Sequence, residues 1–258
     1  MKKLYFDCNM GAAGDMICAA LFELVPDKVE MLRKLNETGI PGVEYIPVKC
    51  EKKGVSGTNM VVRIHGEEEQ HEYDDHYHNN HQNEKHVAHN HHHHMTLADI
   101  DRIVNGLCVS DRVKSSVNCV YGIIAEAESK AHHCEVEEVH FHEVGAMDAI
   151  ADITAACVLM EELNPEMVIS TPIHVGSGTV KCAHGILPVP APATANILMD
   201  IPYYSGDIFG ELCTPTGAAL LKYFVESFQS FELENAKMGR GMGKREFPRP
   251  SFLAAYLN

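Results

Sequence analysis

The chain of 258 residues has no tryptophan, and only 21 lysines and arginines stand against 36 aspartates and glutamates, a formal net charge of −15. So acidic a balance argues against a nucleic-acid partner, because phosphate backbones are drawn to basic surfaces. No apolar run approaches the roughly 18 residues that cross a bilayer, so no membrane segment is expected. The nine cysteines lie at 8, 18, 50, 108, 119, 134, 157, 182 and 213 without a C-x-x-C pair. That scatter reads as reduced thiols in an intracellular protein. A cleavable leader is not expected, since Asp7, Asp15 and Glu23 interrupt the apolar start MKKLYFDCNMGAAGDMICAALFELV. A cytoplasmic location follows as the expectation.

What is present is ordinary in bulk and unusual in one residue. Hydrophobic residues make up 45% and charged ones 22%, enough for a globular core. The length suits one large α/β domain or two small ones. Histidine is the anomaly, with 17 copies, and it is the commonest side-chain metal ligand.

Along the chain, KLYF predicts a strand over 3–6. The turn DCNMGAAGD leads into a helix over about 15–25, and strand, glycine turn, helix is an α/β opening. A second helix is predicted over 28–36, ended by Gly39 and Pro41. EYIPVKCEK and TNMVVRIH, either side of the turn-prone GVSG, predict a hairpin. Helices follow over about 97–106 and from Ser110, whose side chain can cap a stripe of Val113, Val117, Val120, Ile124, Ala127 and Ala131. Another is predicted over 146–163, with Met147, Ile150, Ile153, Cys157 and Met160 on one face. The remaining expectations are a strand over 167–175, helices over 192–199 and 215–228, and strands over 231–238 and 252–257.

From His65 to His94 the composition changes: eleven of thirty residues are histidine and almost none is apolar. No core can be built from such a segment, so it reads as a disordered, solvated His-rich loop. The fold class expected is therefore α/β: a single domain over 1–258 with a mixed β-sheet flanked by helices, interrupted by that insert at 65–94.

Chemistry concentrates in VHFHEVGAMDAIAD, residues 139–152. His140 and His142 project from one face of an extended segment and together can chelate. Glu143 adds an oxygen ligand or a proton acceptor. Asp148 and Asp152 lie four apart on the next helix, where like charges repel unless a cation or the helix N-terminus offsets them. His132 and His133 bring four histidines within eleven residues. The plainer reading also stands: an edge strand around Phe141 and aspartates that favour a helix start. The His tract, including His91, His92, His93 and His94, can collect late divalent ions with poor selectivity, or serve as a solubilising linker. Asp7 and Asp15 flank the first glycine turn, a usual place for ligand contacts in α/β sheets, where a plain helix cap is the alternative.

Two features suit an anion. Gly176, Ser177 and Gly178 follow a strand, with Lys181 and His184 nearby, so backbone N–H groups there can cradle a phosphate. The spacing is not that of a Walker A loop. In LCTPTGAALL, Thr214 caps a helix with Pro215 at its first position and Thr216 in its first turn, leaving N–H donors. Ordinary capping explains that motif equally. The tail KMGRGMGKREFPRP carries Lys237, Arg240, Lys244, Arg245 and Arg249, a local anion site, a partner contact or a solvated basic loop.

Five segments in this order, YFDCNMGAAGDM, VHFHEVGAMDAIADI, HVGSGTVKCAHGILPVPAPAT, ELCTPTGAAL and GRGMGKREFPRP, resemble the LarC-type nickel insertases, which complete the nickel-pincer nucleotide cofactor. The resemblance runs from residue 4 to about 252 and includes the His-rich insert. It implies insertion of Ni²⁺ into pyridinium-3,5-bisthiocarboxylic acid mononucleotide, forming two nickel–sulfur bonds and one nickel–carbon bond at the expense of CTP. On this reading His140, His142, Glu143 and Asp148 hold nickel. Glu143 takes the ring proton, or one of the two histidines does, with Asp7 and Asp15 counted beside them as catalytic candidates. Gly176, Ser177, Gly178, Lys181, His184, Thr214, Thr216 and Arg240 would hold the nucleotide. Family members usually continue into a C-terminal domain, sometimes a separate polypeptide, to which CTP and its divalent cation belong. That part is the expected partner, and a homo-oligomer stays open. The rival classes are a non-enzymatic nickel-storage protein or metallochaperone, and a metal-dependent hydrolase of the amidohydrolase type. The latter needs a TIM barrel with H-x-H on an early strand.

Overall fold

A computed structural model describes residues 1–68, 95–141, 144, 146–182, 185–233 and 235–258. The chain opens with β1 (Lys3–Asp7), α1 (Gly14–Leu24), α2 (Lys28–Asn36), β2 (Val43–Lys52), β3 (Val55–Ile64) and β4 (Glu67–Glu68). Three helices follow, α3 (Leu97–Asn105), α4 (Asp111–His132) and α5 (Met147–Leu163). Then come β5 (Met167–Ser170), β6 (Ile173–His174), β7 (Gly176–Ser177), β8 (Thr179–Cys182), β9 (Gly185–Pro188) and α6 (Pro192–Ile197). The last elements are β10 (Tyr203–Tyr204), β11 (Gly210–Glu211), α7 (Pro215–Phe224), β12 (Ser227–Phe228), β13 (Lys237–Met242) and β14 (Phe252–Leu257).

Eight strands form one mixed sheet in the order β12-β5-β1-β14-β13-β3-β2, with β4 beside β3. β5 runs parallel to β1 and to β12, β14 runs antiparallel to both β1 and β13, and β13 meets β3 in parallel. α1 lies against β13, β14 and β3, α5 packs on α1 and α4, and α6 and α7 pack on α4. The α/β class with helices flanking a mixed sheet is thus as the sequence predicts.

Local chemistry explains the elements. Ser110 caps α4 by accepting from Val113 N–H at 3.1 Å, and Val113, Val117, Val120, Ile124 and Ala127 are buried as their spacing requires. Thr96 and Asp99 form a reciprocal capping box on α3. Lys237 Nζ donates to Leu24 O at 2.8 Å, satisfying a carbonyl that the end of α1 leaves without a helical partner. Buried phenols cross-link layers: Tyr45 Oη donates to Ala151 O at 2.8 Å, tying β2 to α5, and Tyr121 Oη donates to Val144 O at 3.1 Å. Each such bond contributes about 1 kcal/mol beyond the burial of its ring.

The strand expected over 167–175 is split into β5 and β6, of which β6 pairs with β10 outside the main sheet, and four further expectations shift. The hairpin turn is Lys53–Gly54, both at positive φ (50° and 81°), and Val55 already belongs to β3, so GVSG is mostly strand. The strand expected over 231–238 lies at Lys237–Met242. Its Gly239 and Gly241 look like loop residues in sequence but sit where a helix presses on the sheet. The helix from 215 stops at Phe224, and the chain re-enters the sheet as β12. Residues 65–68 of the His-rich stretch turn back onto β3, with Ile64 opposite Glu67 and Arg63 opposite Glu68. His91, His92, His93 and His94 lie outside the described residues. Among the described residues no helix is long and apolar enough to cross a membrane.

Candidate functional site

Helix starts and loop ends meet on one side of the sheet. The turn after β1 delivers Asp15 into the first turn of α1, and the first two turns of α5 carry Asp148 and Asp152. The connection from β11 to α7 brings Glu211, Leu212, Thr214 and Thr216, and the loop after β13 brings Lys244, Arg245 and Phe247. These residues line a cavity of about 150 Å³.

α1 and α5 begin at Ala13 and Ala146, neither of which has a capping side chain. Their first-turn aspartates serve instead. Asp15 Oδ1 accepts from Met16 N–H at 2.8 Å and Asp148 Oδ1 accepts from Ala149 N–H at 2.7 Å. Two helix N-termini therefore offset part of the negative charge. The plain helix-start role and the placement at a cavity coexist in the same residues.

The electrostatics are strained. Burial first, then the charges of Asp15 and Asp148, push the Asp152 carboxyl well above the ordinary aspartate value. Asp152 Oδ1 is shut off from solvent without a hydrogen-bond partner. Burial also raises Asp15, against the pull of Lys244 and the Met16 N–H, with Asp148 adding to the rise. Burial works to lower Lys244, but Asp15, Asp152, Asp148 and Glu68 together carry it above the ordinary lysine value. An ammonium thus stands among three carboxylates. Among the described residues no group of three or more His, Cys, Asp or Glu side chains is arranged to hold a metal ion.

A second cavity of about 190 Å³ adjoins the first, and Glu211 and Arg245 line both. Arg245 Nη1 donates to Glu211 O at 3.3 Å, and Arg245 Nη2 stands 3.7 Å from Glu211 Oε2. Lys181, Cys182, Glu128 and His132 give this cavity polar groups, and Val180, Leu187, Pro192 and Pro215 an apolar wall. It differs from its neighbour in presenting Lys181 and no aspartate among its lining residues.

The sequence-derived residues are distributed as follows. Asp15, Asp148, Thr214 and Thr216 line the first cavity and Lys181 the second. Thr214 caps α7, its Oγ1 accepting from Gly217 N–H at 3.2 Å and lying 2.9 Å from Thr216 Oγ1. Gly176 and Ser177 pair with β11, Ser177 Oγ donates to Ile208 O at 2.9 Å, and Gly178 packs under the Phe209 ring. Asp7 is not among the residues lining the first cavity. Its Oδ1 accepts from Asn9 N–H at 3.0 Å. Burial first and the Asp7 charge next push the Tyr204 and Tyr256 phenols upward. Arg240 lies away from both cavities: its N–H donates to Glu23 Oε2 at 3.0 Å and its guanidinium stands 6.0 Å from the Phe252 ring centroid. His140 is exposed beside the buried Phe141. His142, Glu143 and His184 lie outside the described residues. Among the tail cations it is Lys244 and Arg245 that reach the cavities, a choice the sequence leaves open because it does not show where β13 ends. Asp152 was visible in the sequence as the partner of Asp148 at helical spacing.

The sequence profile of the nickel insertion protein family matches residues 4–258. Relatives described as pyridinium-3,5-bisthiocarboxylic acid mononucleotide nickel insertion proteins include one from Clostridium acetobutylicum, 44% identical over 100% of this chain and 64% of its own length. Others come from Clostridium kluyveri, at 41% identity over 100% of this chain and 62% of the relative, and Geobacillus kaustophilus, at 39% over 100% and 60%. The chain therefore spans less than two thirds of these relatives. No solved structure matches it. On the match along nearly its whole length, the chain belongs to the nickel insertion protein family.

Proposed function

We propose that the chain carries the nickel-insertion chemistry named in its relatives, with Ni²⁺ and pyridinium-3,5-bisthiocarboxylic acid mononucleotide as substrates. The observation that carries this reading is Asp148. It belongs to the H-x-H-E-x₄-D segment and lines the first cavity together with Asp15 and Asp152. Three carboxylates make that cavity attractive to a divalent cation and to a cationic pyridinium ring, with Lys244 limiting the net charge. The phosphate of the mononucleotide is repelled from the same place. In this reading it lies toward Lys181 and Arg245 of the adjoining cavity, with Gly176, Ser177, Gly178 and His184 on the approach and the Thr214 and Thr216 hydroxyls between the two ends.

His140, His142, Glu143 and Asp148 hold Ni²⁺ in transit. Two thiocarboxylate sulfurs and one ring carbon of the substrate replace them, and the carbon gives up its proton as nickel bonds to it. Glu143 accepts that proton, which requires it within hydrogen-bond reach of the ring. A triphosphate does not suit a cavity lined by three aspartates. The CTP requirement and its divalent cation are accordingly assigned to the part of the relatives beyond the matched stretch, supplied as a C-terminal domain or polypeptide.

The test incubates the purified chain with the bisthiocarboxylate mononucleotide, Ni²⁺ and CTP, with and without the C-terminal part of a relative, and follows the nickel–carbon product by mass spectrometry. Product is expected with the C-terminal part, and its loss is expected in His142→Ala and Glu143→Ala. Wild-type yields from either variant would overturn these residue assignments.

A further inference from the structure

The loop over residues 243–251 supplies Lys244 and Arg245 to the first cavity, yet it has neither helix nor strand of its own. Its base is closed by Gly243 N–H donating to Ser251 O at 3.0 Å. A loop of this kind leaves main-chain carbonyls that need partners. Four of them find ammonium groups at the tip of the β2–β3 hairpin. Lys52 Nζ donates to Lys244 O and Arg245 O, both at 3.1 Å. Lys53 Nζ donates to Phe247 O at 2.6 Å and Pro248 O at 3.0 Å. Lys52 also pairs with Glu246 at 2.7 Å, and its side chain is only 14% exposed.

The turn chemistry points the same way. A two-residue turn with positive φ at both positions favours Asn-Gly, and a lysine in the left-handed region is uncommon. Lys53 nevertheless holds φ 50° there, and its ammonium bonds two loop carbonyls. On the far side the loop is anchored to the 207–211 segment, through Arg249 to Asp207 at 2.8 Å and Arg245 to Glu211.

We propose that Lys52 and Lys53 are positioning residues, a pair of ammonium clamps that fix the 243–251 loop so that Lys244 stays over Asp15, Asp148 and Asp152. Neither lysine lines the cavity; both act through the loop backbone. The functional consequence rests on the reading of this cavity as the insertion site, whereas the clamp itself does not.

The experiment compares a Lys52→Met/Lys53→Met chain with Lys52→Arg/Lys53→Arg, which keeps the donors. The first readout is cleavage after Glu246 by a glutamate-specific protease under native conditions, identified by fragment mass. The second is kcat and KM for nickel insertion. The methionine pair is expected to be cut about tenfold faster, because loop opening becomes easier, and to lose about tenfold or more in kcat/KM through misplacement of Lys244. The arginine pair is expected to match wild type in both. If the methionine pair fails to fold, Lys53→Met alone, at an exposed position, gives the same two readouts. An unchanged cleavage rate overturns the clamp, and unchanged kcat/KM against an active wild type overturns its role in placing Lys244 for insertion. If the wild-type chain, supplied with CTP and the C-terminal part of a relative, inserts no nickel, the insertion reading falls and the cleavage rate alone decides the clamp.

Discussion

Asp152 is the residue under the greatest electrostatic load, with a buried Oδ1 that has no hydrogen-bond partner and two aspartates nearby. A carboxyl raised above its unfolded value binds protons more tightly in the folded state. Stability is then fullest at low pH and falls as pH rises from the ordinary value of 3.8 through the raised one. Asp152→Asn cannot ionise but keeps the shape. It is expected to raise Tm at pH 7 by about 2–4 °C, the shift that roughly 1 kcal/mol produces in a chain of this size, and to change little at pH 4. Thermal melts at the two pH values check this; a variant less stable than wild type at pH 7 would show that the carboxylate is held favourably. The gain is expected to come with weaker nickel insertion, as sites that gather like charges trade stability for function. Spacing alone made Asp148 and Asp152 legible, since i and i+4 on a helix share a face. The meeting with Asp15 and Lys244 was not legible, because it depends on how α1, α5 and the loop after β13 converge.

Glycine has opposite meanings in two elements. At Gly241 in β13 an added Cβ would lie 1.7 Å from Met16 O, so α1 rests directly on the strand. Gly241→Ala must push α1 away and with it Asp15, one residue before Met16. A loss of about 3 kcal/mol is expected, typical of severe overpacking. At Gly122 in α4 an added Cβ meets nothing within 4 Å, and Gly122→Ala is expected to stabilise by about 0.5–1 kcal/mol. Denaturant unfolding of both variants checks the contrast; equal effects would contradict the close packing of α1 on β13. The same strand shows why some elements resist prediction. α4 and the β2–β3 hairpin announce themselves through a capped apolar stripe and alternation, while β13 reads as KMGRGM, where glycines look like a turn until the helix above them is known. Within that strand the Arg240 backbone N–H bonds Glu23, whereas Lys244 and Arg245, which line the first cavity, follow the strand's end.

Across the whole molecule two places gather side chains that suit a metal ion. One is the ordered cavity, built from segments near residues 15, 148, 212 and 244 that only the folded sheet brings together. The other is the His-rich stretch, joined to the fold at β4 on one side and by the Met95–Phe141 bridge on the other. We propose that nickel chemistry belongs to the cavity and that the tract only gathers the ion. The decisive measurement replaces residues 69–94 with a glycine–serine linker and follows nickel–carbon product against Ni²⁺ concentration in the presence of the C-terminal part. The account predicts wild-type product at saturating nickel, with half-maximal insertion displaced to higher Ni²⁺. Complete loss of product at every nickel concentration, from a chain that still folds, would contradict it and assign the function to the tract.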